Sequence, residues 1–374
     1  MQTSVTIVEH IDPESFTPSG IDNIIHGLIQ GADDTHVFRI VGVTKDKARR
    51  LGQWVQIPFA GKHVSFLPVA HLDLSQKGSR WRIPHSLRFG VGLLRFSARF
   101  RKGDVWHTHR AETGLLCTRL LRLPVVQFIH NSALDLTGPH SDSQWSRISA
   151  VHHLVQRDIC QQASSVIVFN RKEAERLRAL RPDLIRGQTW FDPDLFFPAA
   201  SARCSSAPCR ITWVGRLDGA KNPWWTLDLA KAAVEADEPI VINIVGSGPY
   251  AEPLQRAARA ARLSNVHFLG PVRHDEVGDV LRQSDVYLIT SHYEGSSTSL
   301  VEALATGLPC LVTPGADQDH LVQVGINGFH LWGDPVRDLE LVRQARALPR
   351  GSIPQTVAHR SIDKLLPAYL GYGQ

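Results

Sequence analysis

Two glutamates and two cations carry the clearest chemistry in this sequence. Glu294 and Glu302 have seven residues between them in the stretch Ser291-His-Tyr-Glu-Gly-Ser-Ser-Thr-Ser-Leu-Val-Glu-Ala-Leu-Ala-Thr-Gly307. Glu294 precedes Gly295 and a run of hydroxyl residues, Ser296, Ser297, Thr298 and Ser299, which are good helix N-caps. A helix start presents free N–H groups and a positive dipole end, so it can hold an anion such as a phosphate. Upstream, Val214-Gly215-Arg216 is followed by Lys221-Asn222-Pro223. An Arg fork and a Lys point charge suit a diphosphate. Taken singly each piece has a plainer reading. Ser299-Leu-Val-Glu302 also fits a capping box, with Glu302 bonding back to the Ser299 backbone, and an Arg and Lys five apart are most often surface charge.

Other residues sit where chemistry is expected. His130 ends the strand-like run Leu123-Pro-Val-Val-Gln-Phe-Ile-His130, and ligands of open α/β sheets bind beyond the carboxyl ends of strands. His130 is therefore a candidate acid, base or hydrogen-bond donor. His107 and His109 form a His-x-His pair with no third ligand at suitable spacing, so satisfied core or cleft histidines are expected rather than a metal site. Gly20 meets the first helix and Gly246 ends a strand. Either allows close backbone approach to a ligand, and either also serves as a simple turn.

The elements that must position these residues alternate. Short apolar or β-branched runs at 5–8, 37–43, 64–69, 104–109, 123–130, 165–169, 209–214, 240–245, 266–269, 285–290 and 310–313 are separated by helical patterns. That alternation predicts α/β units with parallel sheets. The small, polar, proline-bearing stretch 199–208 reads as a linker. It separates an N-terminal domain, 1–198, from a C-terminal domain, 209–359, and a last helix covers about 360–374. Gly325-Ile-Asn-Gly328 reads as a hairpin-like turn.

Composition narrows the class. The chain has 374 residues, 43% hydrophobic and 21% charged, which is ordinary for a globular protein of two or three domains. The net charge of +5 and pI near 9.0 suit anionic ligands or an anionic surface; no nucleic-acid partner is expected. Five scattered cysteines point to a reducing, cytoplasmic setting. The first residues lack a basic n-region and no run of about 18 apolar residues occurs, so neither a signal peptide nor a membrane span is expected. Between residues 80 and 102, arginines alternate with aromatic and aliphatic residues. Two readings stand there: a basic helix lying on the inner face of a membrane, or a surface helix packed on a sheet.

Together these motifs resemble the retaining glycosyltransferases of family four, which have the GT-B architecture. The resemblance rests on Val214-Gly215-Arg216 with Lys221-Asn222, Gly246-Ser-Gly248-Pro249, Val266-x-Phe-Leu-Gly270, Glu294-Gly295 through Glu302-Ala303, Gly307-x-Pro309 and Gly325-x-x-Gly328. It is looser in the first half, through Gly20, Asp104-Val-x-His107-x-His109, His130-Asn131 and Asp192…Phe196-x-Pro198. Three positions depart from the family pattern: Ser19-Gly20 replaces paired glycines, Trp190-Phe191 replaces Asn-Gly, and Ser296-Ser297 replaces a bulky residue and proline.

The resemblance implies two Rossmann-like parallel-sheet domains facing each other across a cleft, with the last helix returning to the first domain. It implies a hexose moved from a UDP- or GDP-linked sugar to a hydroxyl acceptor, with no cofactor and no bound metal. Arg216 and Lys221 would hold the diphosphate, with Gly20, Gly215, Gly246 and the amides of Gly295, Ser296, Ser297 and Thr298. Glu294 would bond a donor-sugar hydroxyl, and Glu302 the ribose. Val272 and Arg273 would flank the base, and His130 would lie by the transferred sugar. A nucleotide-sugar epimerase and a non-catalytic sugar-nucleotide-binding protein are the alternative readings of the same motifs.

Overall fold

The computed structural model describes residues 3–15, 20–73, 84–101, 103–130, 149–200 and 207–370. Asn131, Ser19, most of the linker and the ends of the basic segment (residues 80–83 and 102) lie outside them. The chain folds as two compact units. The described residues of the first fall within Met1–Thr137, Ser143–Gly187 and Leu366–Gln374, and those of the second within Gln188–Leu365.

The first unit is built on an eight-stranded sheet in the order β3-β4-β2-β1-β5-β6-β7-β8. Its strands are β1 (Thr3–Val8), β2 (His36–Thr44), β3 (Val55–Phe59), β4 (Lys62–His71), β5 (Val105–Thr108), β6 (Val125–Ile129), β7 (Ser165–Val168) and β8 (Ile185–Arg186). All neighbours are parallel except β3 and β4, which turn through Ala60 and Gly61, both at positive φ. Residues of β1, β2 and β4 are buried almost throughout, because helices cover both faces of a parallel sheet. The helix His85–Phe96 places Phe89 and Leu93 in the core with Val41, Val43, Leu67 and Val69. Gly92 lets it come close: a Cβ there would lie 2.3 Å from the Val69 carbonyl oxygen.

The second unit has a six-stranded, all-parallel sheet in the order β11-β10-β9-β12-β13-β14. These strands are β9 (Cys209–Val214), β10 (Ile240–Val245), β11 (Val266–Gly270), β12 (Val286–Ile289), β13 (Cys310–Val312) and β14 (Gly328–His330). The two faces of β12 show the period of two. Val286 and Leu288 enter one apolar layer with Ile211, Trp213 and Ile242. Tyr287 and Ile289 enter the other with Leu300, Val301 and Leu304 of the helix Thr298–Ala305. Each fully buried leucine there contributes roughly 1.5–3 kcal/mol, and the packing fixes where that helix begins. The turn expected at Gly325–Gly328 is formed over residues 325–327, with the Gly325 N–H donating to the Gly328 carbonyl at 3.2 Å, but it closes no antiparallel hairpin. Gly328 instead starts β14, which runs parallel to β13, since the Cys310 carbonyl approaches too closely to admit a Cβ at Gly328.

The last helix, Ile362–Leu370, runs from the second unit into the first, where the Tyr369 ring lies 6.0 Å from Phe169. Among the described residues, Cys117, Cys160, Cys209 and Cys310 are buried free thiols, and no helix is long and apolar enough to cross a membrane.

Candidate functional site

The loops after β9 and β12 bring the sequence candidates of the second unit together. Lys221 Nζ donates to Glu294 Oε1 at 2.6 Å, and Ser291 Oγ donates to the same oxygen at 2.7 Å. The Glu294 side chain is only 12% exposed, that of Lys221 32%, so the pair is half withdrawn from water and poorly screened. Backbone contacts fix the loops: Glu294 N–H donates to the Gly315 carbonyl (3.0 Å) and His292 N–H to that of Ala220 (3.0 Å). Thr290 Oγ1 reaches the carbonyls of Lys221 and Asn222, with Asn222 at φ +45°.

Asp218 brackets the two cations. Its Oδ2 accepts from Arg216 Nε and its Oδ1 from the Lys221 backbone N–H at 3.2 Å. Asp218 is buried whereas the Arg216 side chain is 70% exposed. The guanidinium is thus anchored at Nε with most of its fork turned to solvent.

The helix Thr298–Ala305 begins beside this group. Its N-cap is Ser297, without a side-chain cap bond, so the first-turn amides of Thr298, Ser299 and Leu300 are the orphan donors of the helix start. The N-cap lies two residues before Ser299, which removes the capping-box geometry. Glu302 is buried inside the helix and its Oε1 pairs with His274 Nε2 at 2.7 Å. Burial opposes a charge on His274, yet the Glu302 bond and charge, with Asp192 and Asp275 nearby, hold its imidazole above the usual range. Ser296 is tied sideways: Oγ donates to Asp319 (2.6 Å) and meets Thr189 Oγ1 (2.9 Å), while Arg360 holds Asp319 at 3.0 Å. Arg273 is exposed and paired with Asp275 and Glu276; Val272 packs against the helix-side core.

The glycines are where backbone meets backbone. Gly215 N–H donates to the Val245 carbonyl, and Gly246 N–H to that of Gly270. Gly246 has φ +135°, and a Cβ there would fall 1.9 Å from the Gly215 carbonyl oxygen. Gly246→Ala is therefore expected to cost about 3 kcal/mol and lower the Tm of the second unit by roughly 6–12 °C. A change within about 2 °C in a calorimetric scan would show that the loop relaxes and that glycine is dispensable.

In the first unit the sequence candidates cluster at the carboxyl ends of β1, β5 and β6. His130 Nε2 lies 2.9 Å from His109 Nδ1, and its ring stacks on Phe169 with centroids 4.9 Å apart. Glu9, fully buried, accepts from the His10 N–H at 2.8 Å and pairs with Arg110 Nε at 2.5 Å. Burial pushes His107 down to about 3 and His130 and His10 down to about 4; His109 is held well below the usual range. All four are thereby neutral imidazoles at pH 7, each able to accept one hydrogen bond and donate another. Gly20 opens the helix Gly20–Gly31 with open space where a Cβ would be. Among the described residues no group of three or more His, Cys, Asp or Glu is gathered for a metal.

Ser291, Asp218 and His274 join the site without having been singled out in the sequence. Asp218 had a signal, an Arg-x-Asp spacing beside Lys221. His274 had none, since it lies 28 residues before Glu302.

Residues 206–341 match the family described as "Glycosyl transferases group 1". A curated relative, "UDP-Gal:alpha-D-GlcNAc-diphosphoundecaprenol alpha-1,3-galactosyltransferase" of Escherichia coli, is 27% identical over 251 residues, 61% of this chain. The chain spans only 62% of that relative's length. Two solved structures align over nearly the whole chain. Sucrose-phosphate synthase from Thermosynechococcus elongatus superposes with a TM-score of 0.75 at 18% identity, covering 99% of this chain and 98% of its own. Anabaena Alr3699/HepE in complex with UDP and glucose does so with a TM-score of 0.70 at 16% identity, covering 99% of each. At these identities the likeness is one of fold, two parallel-sheet α/β units of the GT-B kind.

Proposed function

We propose that this chain, whose residues 206–341 match the glycosyl transferases group 1 family, is a retaining glycosyltransferase of family four. It moves a hexose from a nucleoside-diphosphate sugar to a hydroxyl acceptor in glycan, polysaccharide or glycolipid assembly. The observation that carries the reading is the Lys221–Glu294 pair beside Arg216 and the start of the helix Thr298–Ala305. Those groups offer two cations and helix-start amides to a diphosphate, and a carboxylate to a sugar hydroxyl. The HepE complex with UDP and glucose and the UDP-Gal in the relative's name favour a uridine donor.

On this reading Lys221 leaves Glu294 for the diphosphate when donor arrives, and Glu294 turns to a hydroxyl of the sugar. Charge develops on the leaving diphosphate as the glycosidic bond breaks. Arg216, Lys221 and the amides of Thr298 and Ser299 stabilise it, being in place beforehand. The acceptor hydroxyl attacks from the face of departure and gives its proton to the leaving phosphate oxygen, which retains configuration. Asp218 positions both cations, and Glu302 accepts from the ribose while His274 holds its carboxylate. No cofactor or metal enters the scheme.

A thermal-shift screen tests this. A ligand at 100 times its Kd adds about 2.7 kcal/mol, so UDP or UDP-hexose is expected to raise the Tm of the second unit by roughly 5–11 °C. Lys221→Ala should abolish most of that rise. No shift with any nucleoside diphosphate or nucleotide sugar would sink the proposal.

A further inference from the structure

The helix His85–Phe96 has two apolar sides. Phe89 and Leu93 face the core of the first unit, whereas Leu87, Val91 and Leu94 are 58%, 58% and 44% exposed. Spacings of four and three place those three in one outward row. Arg88 and Arg95 flank the row, and Arg99 and Arg101 follow; all are exposed. The Arg101 guanidinium lies 5.6 Å from the ring centre of Trp54, whose Nε1 donates to the Arg99 carbonyl. Residues 74–103 hold eight Lys and Arg and no Asp or Glu, more than the net +5 of the whole chain. The rest of the sequence is therefore slightly acidic, and four of those eight cations, Arg88, Arg95, Arg99 and Arg101, are the exposed ones described beside the row.

We propose that this face docks on an anionic lipid surface, with the helix lying in the plane of the interface. Leu87, Val91 and Leu94 enter the acyl boundary and the arginines meet the headgroups. A solvated helix has no physical reason to expose three aliphatics in register, and a face that met only a charged polymer would gain nothing from them. Together they fit a partner that is apolar beneath and anionic above, which is the structure of a bilayer leaflet. The inference does not depend on glycosyl transfer.

The test is flotation of the full chain with phosphatidylcholine vesicles containing or lacking phosphatidylglycerol, at low and high salt. Flotation with the anionic vesicles alone is expected, weakened but not abolished by salt. Each arginine near the surface contributes about a fivefold factor, so Arg88→Ala/Arg95→Ala/Arg99→Ala should bind on the order of 100-fold more weakly. Val91→Asp/Leu94→Asp should also lose binding although the arginines remain. These positions are exposed, so both variants should keep the parent Tm and its nucleotide-induced rise. The proposal is overturned by no flotation at low salt, by equal flotation with neutral vesicles, or by variants that float like the parent. A dimer in light scattering that Val91→Asp/Leu94→Asp dissociates would also overturn it, by assigning the row to a second copy.

Discussion

Glu294→Gln is expected to lower donor turnover by roughly 10²–10³-fold while the Tm stays within about 2 °C. Glutamine keeps the shape and can still accept from Ser291, so the loop between β12 and the helix Thr298–Ala305 has no reason to move. What disappears is the negative charge that holds Lys221 at 2.6 Å and that would bind a sugar hydroxyl. The proposed roles separate the two partners. Glu294 touches the sugar, so its loss should appear in kcat with nucleotide affinity nearly intact. Lys221 touches the diphosphate, so Lys221→Ala should weaken nucleotide binding as well. Initial rates with a UDP-hexose, as hydrolysis or transfer, and calorimetric titration of UDP measure both. Full turnover by Glu294→Gln would remove the residue from the reaction, and equal loss of UDP affinity in both variants would merge their roles.

The second large effect concerns the first unit in acid. His10, His107 and His130 are buried neutral, at about 4, 3 and 4, and His109 is held well below the usual range, because burial strips water from the imidazolium. The unfolded chain takes up protons on these rings near pH 6.5. Their contribution is thus fully present above pH 6.5 and is lost as pH falls toward 4. At pH 5 each of His10, His107 and His130 costs roughly 2 kcal/mol relative to pH 7.5. Glu9, held below its ordinary value against the cost of burial by Arg110 and His10, loses stability in the same direction at lower pH. Several kcal/mol is a large share of a domain's 5–15 kcal/mol. In the second unit His274 is shifted upward, so its contribution is present below pH 6.5 and is lost as pH rises through its folded value. Between pH 7.5 and 5 the first unit should therefore lose stability relative to the second. Calorimetry at both pH values, with limited proteolysis to identify the unit that melts first, checks this. Transitions moving in parallel would contradict it. His107→Phe should reduce the acid sensitivity by about one ring's share.

Much of the architecture was legible because it is written locally. Runs such as Ile240–Val245 and Val286–Ile289 are apolar and β-branched, and the stretches between them have helical period, which suffices for parallel α/β units. The antiparallel β3 was not seen, since Val55–Phe59 is short, carries Pro58 and sits at a sheet edge. The turn before the last strand of the second sheet was legible from its glycines, but the parallel strand after it was not, since the close approach of Cys310 to Gly328 is a contact across 18 residues.

The sequence by itself determined which groups are available: Arg216, Lys221, Glu294 and a hydroxyl-rich helix start, in an order that resembles a glycosyltransferase family. Their pairing was decided by tertiary structure. Lys221 meets Glu294 because β9 and β12 are neighbours in the sheet, although 73 residues separate the two side chains. Glu302 faces His274 rather than the Ser299 backbone because the helix starts at Thr298 and packs beside the helix His274–Arg282. Ser296 is drawn toward Asp319 and Arg360, which no spacing links to it. The same holds for the basic helix, whose sequence allowed either of two readings. Packing of Phe89 and Leu93 on the sheet chose its inner side, and what remained outside, Leu87, Val91 and Leu94 among arginines, followed from the helical period.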